Sequence, residues 1–443
     1  MKLWITTILL AAAFSARATT LSLDNNLAYQ LTESLTVEVG ARLAGSEADA
    51  RAVAWAEKKF RQLGYDKVWS EPFTMQYWER GNASLTVSAP FHQSLVLTAL
   101  GGSVGTPFDG ISTQVVMFDS LQQLQQATAA QVKDKIVFIN RGMTKDPSGS
   151  FYGQVVGARS RGAVEAAKLG AKAIIIRSVG TSTNRFAHTG IMRYEEGIPR
   201  IPAAAVSVPD ALQLSKMLSI NPELTLTLNM QTNLPGEVTS HNVIAEITGS
   251  EKPDEIVLIS AHLDSWDEGT GALDDGAGVG LVMATGALLK KQGQPKRTIR
   301  VVLFGNEEGG LIGARAYAAK HAARLDKHVF ASESDFGAGR IWRFDSGFGQ
   351  QALPFAAEIQ KKLSPLGIAA GNNEAYGGPD VSVLKAQGVP VATLMQDGTD
   401  YFDYHHTPND TLDKVDPEQL QQNLEAWLIM TRLIADSNVD LRK

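Results

Sequence analysis

Apolar residues in this chain of 443 residues fall into three textures in turn. Near the start, the spacing predicts helices over 27–39 and 48–63. In the second, Val53, Ala56, Phe60 and Leu63 recur at helical spacing, Ser46 and Glu47 supply a cap and a first-turn acid, and Gly64 follows as a stop. Apolar, β-branched runs over 68–77 and 83–89 predict strands. From 99 to 236, short strands (114–118, 135–139, 173–176, 203–206) alternate with helices over 120–129 and 162–169, the look of an inserted β-rich module. After Pro235-Gly236, strands at 242–247, 256–261, 300–304, 329–333 and 391–394 alternate with helices at 277–291, 310–321, 355–366 and 417–435. That alternation predicts an α/β fold, a mostly parallel sheet with helices on both faces.

Composition changes this picture at the N-terminus. Met1-Lys2, the apolar stretch 3–14 and Ala16-Arg17-Ala18 have the anatomy of a secretory signal peptide, with cleavage expected after Ala18. The apolar stretch is too short for a membrane anchor, and no later stretch looks long and apolar enough to span a bilayer. The expected organisation is a signal peptide over 1–18, the first part of a split domain over 19–98, the insert over 99–236, and the second part of the split domain over 237–443. Without the signal peptide, 39 basic side chains face 47 acidic ones, a formal net charge of −8. Such a mildly acidic chain without basic runs argues against nucleic-acid or anionic-membrane partners. With no cysteine, disulfides, thiolate catalysis and Cys-ligated zinc are excluded. The expected destination is the periplasm or the medium.

The chemistry sits just past the strands of the last region. His262-Leu263-Asp264 ends one strand; positions i and i+2 share a side there, so Asp264 could orient His262. Asp274-Asp275-Gly276 precedes a helix, Glu307-Glu308 follows another strand, and Ser334-Asp335 follows a third. His405-His406-Thr407-Pro408-Asn409-Asp410-Thr411 lies near the end. Any one of these has a structural explanation, for instance carboxylates compensating a helix dipole. Several carboxylates converging on one crevice repel, and a multiply charged cation resolves that; mixed imidazole and carboxylate donors suit zinc, with cobalt or manganese as substitutes. Two other motifs are set aside. Gly276, Gly278 and Gly280 lack a full dinucleotide fingerprint and follow two aspartates, so they read as close helix packing. Gly101-Gly102-Ser103-Val104-Gly105 resembles a serine-hydrolase elbow, but Thr106-Pro107 cannot begin the helix that elbow requires. His188, alone in a polar loop, reads as a surface residue.

In order, these five clusters resemble the co-catalytic two-zinc exopeptidases, which include secreted aminopeptidases and glutamate carboxypeptidases. Asn242-Val-Ile-Ala-Glu-Ile-Thr-Gly249, Glu333-Ser-Asp335 and the doubled histidine are most similar to the carboxypeptidase Q branch, and 99–236 resembles a protease-associated insert. The resemblance implies two Zn2+ per chain, with Asp274 bridging them. It pairs His262 with Asp335 at one metal and Glu308 with His406 at the other, makes Glu307 the general base, and has Asp264 brace His262. It also implies a cis peptide at Asp274–Asp275. The roles of Tyr404 and His405 stay open, as does homodimer formation. The implied activity is hydrolysis of dipeptides or short peptides. The rivals are a non-catalytic receptor-like protein and a single-zinc glutaminyl cyclase on the same fold. Asp380, Asp397 and Asp403 are candidate anchors for a substrate amine; Arg340 and Arg343 are candidates for a carboxylate.

Overall fold

The structure is a computed structural model that describes residues 26–443; the expected signal peptide over 1–18 lies outside the described residues. Two strands, Lys67–Ala89 and Thr225–Ile247, pair antiparallel along their length and join two sheets into one hydrogen-bonded system. The first of these strands joins the two predicted over 68–77 and 83–89. The structure carries the ribbon through with register shifts between Tyr77 and Glu79 and between Arg80 and Ala83, as bulges do.

At one end of the ribbon, Thr225–Ile247 pairs antiparallel with Arg297–Phe304. Lys252–His262, His328–Glu333 and Val391–Gln396 follow, all parallel to it, then Ile341–Gly347 antiparallel, with the short Ala369–Ala370 at the edge. This is the mostly parallel sheet the alternation predicts. The apolar side chains of Arg297–Phe304 show why the strand ends in the continuous apolar run 301–304. Ile299, Val301 and Leu303 enter the core under helices Leu27–Glu38, Ala277–Gln292 and Pro417–Asp436, while Val302 and Phe304 enter a second core with Tyr317 and Leu384. Both faces are buried, so polar alternation is absent.

At the other end, Ile111–Phe118, Ile136–Ile139, Ala173–Arg177 and Ala203–Val206 form a parallel sheet with Leu97–Ala99 antiparallel at its edge. Ile136 and Phe138 face one core, Val137 and Ile139 another. This region is α/β rather than β-rich. Helix Tyr152–Lys168 starts ten residues before the predicted one, because its buried face is built largely from Ala and Gly, which give little apolar signal. Helix Val208–Ile220 was not anticipated, although Ser207 caps it by accepting from the Asp210 N–H and Pro209 stands in its first turn.

One expectation about membranes is corrected. Helix Ala272–Gln292 is long and apolar enough to cross a bilayer by length and composition, but 94% of its apolar window is buried inside the protein. It is a core helix, enclosed by Leu27–Glu38 on one side and the sheet on the other. Its first turn meets the strand ends closely: a Cβ at Gly278 would lie 2.2 Å from the Ser334 carbonyl oxygen and 2.3 Å from Asp275 Oδ1. That contact requires glycine. Gly278→Ala should cost about 1–3 kcal/mol of stability by overpacking, measured by urea unfolding; an unchanged midpoint would show that the helix can move away.

Candidate metal centre

The carboxyl ends of the parallel strands converge on one crevice, where open α/β sheets bind ligands. His262 is the last residue of its strand; Glu307 and Glu308 follow Arg297–Phe304, and Asp335 follows His328–Glu333. Asp274 lies in the break 272–276 before helix Ala277–Gln292, with non-helical backbone angles and a cis bond to Asp275. His406 comes from the loop after the turn Tyr401–Tyr404.

Asp274 stands between two sets of donors. Its Oδ1 is 3.0 Å from His262 Nε2, which is 3.5 Å from Asp335 Oδ1. Its Oδ2 is 3.2 Å from His406 Nε2, which is 2.9 Å from Glu308 Oε2. All five side chains are at most 8% exposed. Asp274 Oδ2 and Glu308 Oε1 are buried without a hydrogen-bond partner among the described residues. Protonation in the bare chain reflects the crowding. Burial disfavours the imidazolium, yet Asp335 and Asp274 hold His262 well above its usual range. Glu308 and Asp274, also against burial, raise His406 to about 9. Burial, with Asp335 and Glu308 nearby, pushes Glu307 well above the carboxylate range. These are the protons a divalent cation would displace, so the donor set and its orphaned oxygens fit metal.

Two neighbours also come close. Asp275 groups with His262 and Asp335, but its oxygens accept from the His262 and Gly278 N–H groups, each at 3.1 Å. Those bonds make it a bracket for the strand end. His405 Nε2 is 3.7 Å from Asp274 Oδ2, and its ring stacks on His406 at 3.5 Å. Tyr404 faces a separate cleft beside Asp413 and Lys414.

The bracing expected of the Asp264 carboxylate has a different source. His262 Nδ1 donates to the Asp264 main-chain carbonyl at 3.0 Å, with the carboxylate at 3.8 Å. The carboxylate instead accepts from the N–H groups of Glu307 (3.0 Å) and Glu308 (3.3 Å). In a strand end that is already turning, the main chain reaches the ring first.

Several contributors escaped sequence reasoning. Asp410 accepts from the Leu273 N–H at 2.7 Å and the Asp274 N–H at 3.1 Å, fixing the backbone under Asp274. Arg42 is fully buried and donates to the carbonyls of Leu263, Thr270 and Gly271. Asp267 and Glu268 tie the loop after His262 to Arg80 and Thr98. His188 is 1% exposed, not on the surface, and donates to the His405 carbonyl at 2.8 Å. Ser103 is buried and accepts from the Ala203 N–H at 2.8 Å, a structural role.

A cavity of about 560 Å³ opens over the centre, lined by Asp274, Glu307, Glu308, Asp335 and His406, a size suited to small ligands. Tyr152, Arg159, Ile191 and Arg193 form one wall; Glu333 and Tyr376 contribute to the rest. The proposed anchors fare unevenly. Arg340, Arg343, Asp397 and Asp403 do not line the cavity; Arg343 pairs with Asp345, and Asp403 with Lys145. Asp380 is fully buried, with neither carboxylate oxygen partnered.

Comparison with known proteins agrees with this geometry. The profile of Peptidase family M28 matches residues 242–431, the span holding every donor just described. Human carboxypeptidase Q is 35% identical over 412 residues, covering 93% of this chain and 86% of the human protein. The chain belongs to peptidase family M28. The solved structure of a peptidase M28 precursor from Shewanella amazonensis is 54% identical and superimposes with a TM-score of 0.93 over 95% of this chain and 96% of that one. A zinc aminopeptidase from Bacillus subtilis shares the fold, with a TM-score of 0.68 at 20% identity over 96% of this chain and 98% of that one.

The position of Asp410 in this M28 peptidase gives a direct test. Asp410→Ala should weaken metal binding about 10–100-fold, as loss of a support behind a ligand does, while the fold survives. Metal titration followed by elemental analysis would measure it, and wild-type affinity in the variant would remove Asp410 from the centre.

Proposed function

We propose that this protein is an exported zinc exopeptidase that hydrolyses dipeptides or short peptides. The observation that carries the reading is Asp274, whose two oxygens face two separate imidazole–carboxylate pairs with Glu307 alongside. Two zinc ions, for which cobalt or manganese could substitute, would be held by His262 and Asp335 on one side and Glu308 and His406 on the other, with Asp274 shared. Such ions supply Lewis-acid activation of a water and of the scissile carbonyl.

The chain's own residues do the rest. Glu307 takes a proton from the attacking water and returns it to the leaving nitrogen. The Asp264 carboxylate holds the backbone of Glu307 and Glu308 so that base and ligand face the same crevice. Trp266 Nε1 donates to Glu308 Oε2 at 2.6 Å, which limits the carboxylate's rotation. The non-catalytic and single-zinc readings are not favoured, since both donor sets and the base occur together.

The cavity supports a substrate with both ends free. Arg193 lines it with an exposed guanidinium that makes no hydrogen bond or ion pair among the described residues, and packs over Gly310, whose N–H donates to the Glu307 carbonyl at 2.8 Å. Glu333 Oε1 and both oxygens of Asp380 have no hydrogen-bond partner among the described residues. We assign Arg193 to a substrate carboxylate and the Glu333 wall, with Asp380 behind it, to an ammonium. Peptide is the only partner this reading calls for, with neither nucleic acid nor membrane. Residues 99–236, a protease-associated-like insert, supply Arg193 to a catalytic domain formed by 19–98 and 237–443. The signal peptide over 1–18 directs the chain to the periplasm or the medium.

Glu307→Gln should keep wild-type zinc and lose at least about 100-fold in kcat, whereas Asp274→Ala should lose both zinc and activity. Elemental analysis beside a dipeptide assay reads both. Near-normal turnover in the first, or two retained zincs in the second, contradicts the assignment. Arg193→Ala should raise KM for a free dipeptide about tenfold or more and leave its C-amidated form unchanged, since a charged hydrogen bond contributes about 1.5–3 kcal/mol. An equal effect on both substrates would rule out the carboxylate contact.

A further inference from the structure

His406 differs from the other proposed ligands in what holds it. His262, Glu308 and Asp335 stand at the ends of buried strands, and Asp274 opens a core helix. His406 lies on a loop, with φ +61, a left-handed conformation that a histidine keeps only when its surroundings impose it. Part of those surroundings comes from outside the stretch 242–431 matched by the family profile.

Residues 178–189 of the inserted lobe run alongside 402–406. The Thr181 N–H donates to the Phe402 carbonyl at 3.0 Å, and Thr181 Oγ1 donates to Asp403 at 2.7 Å. His188 Nδ1 donates to the His405 carbonyl at 2.8 Å, and the Thr189 N–H donates to the His406 carbonyl at 2.9 Å. The Thr189 carbonyl faces His406 Nδ1 at 3.3 Å, leaving Nε2 toward Asp274 and Glu308. Thus the carbonyls of both histidines are oriented by the insert.

His188 is itself tightly seated. Its N–H donates to Ser178 Oγ at 2.9 Å, and Ser178 Oγ donates to the Val206 carbonyl at 2.8 Å, tying it to a strand of the inserted sheet. A Cβ at Gly180 would lie 2.2 Å from the His188 ring, so glycine there makes room for the imidazole. A buried imidazole packed against a glycine, with one ring N–H spent on a neighbouring main-chain carbonyl, is suited to fixing the path of that chain.

We propose that His188 is a positioning residue for the His406 metal position, so that the inserted lobe completes the metal centre without contributing a ligand. The inference rests on the two-zinc reading above. His188 touches neither substrate nor metal; it acts through the His405–His406 backbone.

The test uses the full mature protein, stripped of metal and titrated with Zn2+, with zinc per chain and the melting temperature of the metal-free protein both recorded. His188→Ala should bind one zinc as the wild type does and the other about 10–100-fold more weakly. His188→Asn, which keeps an N–H able to reach the His405 carbonyl, should recover most of that affinity. Two zincs bound at wild-type affinity by His188→Ala would overturn the proposal. So would equal losses in the Ala and Asn variants, which would mark His188 as packing alone. If His188→Ala does not fold, Thr181→Ala loosens the same segment from its other end and should selectively weaken one zinc; undiminished binding there overturns the clamp. A wild-type protein that binds fewer than two zincs would instead refute the two-zinc reading.

Discussion

The buried carboxylate of Asp274 is the constraint around which this molecule is arranged. A carboxylate removed from water is costly unless charges and hydrogen bonds compensate it. Here one oxygen faces His262 and the other His406, so the residue cannot rotate or retreat without abandoning one partner. Its backbone is consequently fixed from every side. Asp410 accepts the N–H groups of Leu273 and Asp274, Arg42 holds the carbonyls of Thr270 and Gly271, and Asp275 bridges the strand end and the helix start. The close packing at Gly278 follows from the same demand, because Asp275 can reach the His262 N–H only if the helix meets the strand without a side chain between them.

The parallel sheet explains why so few residues are needed. Neighbouring parallel strands end at the same level, so His262, Glu307–Glu308 and Asp335 reach one crevice although they are far apart in the chain. Their strands are buried on both faces and therefore rigid, which fixes donor positions before any cation arrives. Asp264 uses that rigidity laterally: it leaves the strand of His262 and holds the main chain of Glu307 and Glu308 after the adjacent strand.

What could be read from the sequence follows from this division. The parallel sheet was legible because buried strands are continuous apolar runs, and the donor clusters were legible because each sits just beyond such a run. Supports that act through the main chain were not. Arg42 is a single arginine between the two helices predicted over 27–39 and 48–63, and its carbonyl partners leave no mark in composition. His188 carries a loop's polar context yet is buried, because a second segment, 402–406, covers it. Arg193 could not be told from Arg340 or Arg343 by position; only the placement of the insert beside the crevice separates them. Asp264 was recognised as a partner of His262, but the atom that makes the contact, a carbonyl and not the carboxylate, depends on how the strand end turns. The helix Tyr152–Lys168 was shortened in prediction for a related reason: alanine and glycine pack closely while carrying little hydrophobic pattern.

The two lobes divide the labour unequally. The proposed ligands and base all come from the lobe that contains Lys252–His262 and Arg297–Phe304. Residues 99–236 bring hydrogen bonds and the Lys145 ion pairs to the segment that leads into His406, and cationic side chains, Arg159 and Arg193, to the cavity wall. This is the complement the first lobe lacks. Its own side chains make the cavity strongly acidic, which suits cations and ammonium groups but repels a carboxylate. Its one loop-borne donor has no strand beneath it. In the proposed reading, the rigid acidic half gathers metal and a substrate amine, while the loop of His406 and the other end of a short peptide draw on contacts from a separately built sheet. The long ribbon of Lys67–Ala89 and Thr225–Ile247 is what couples them, since the same two strands enter the cores of both lobes.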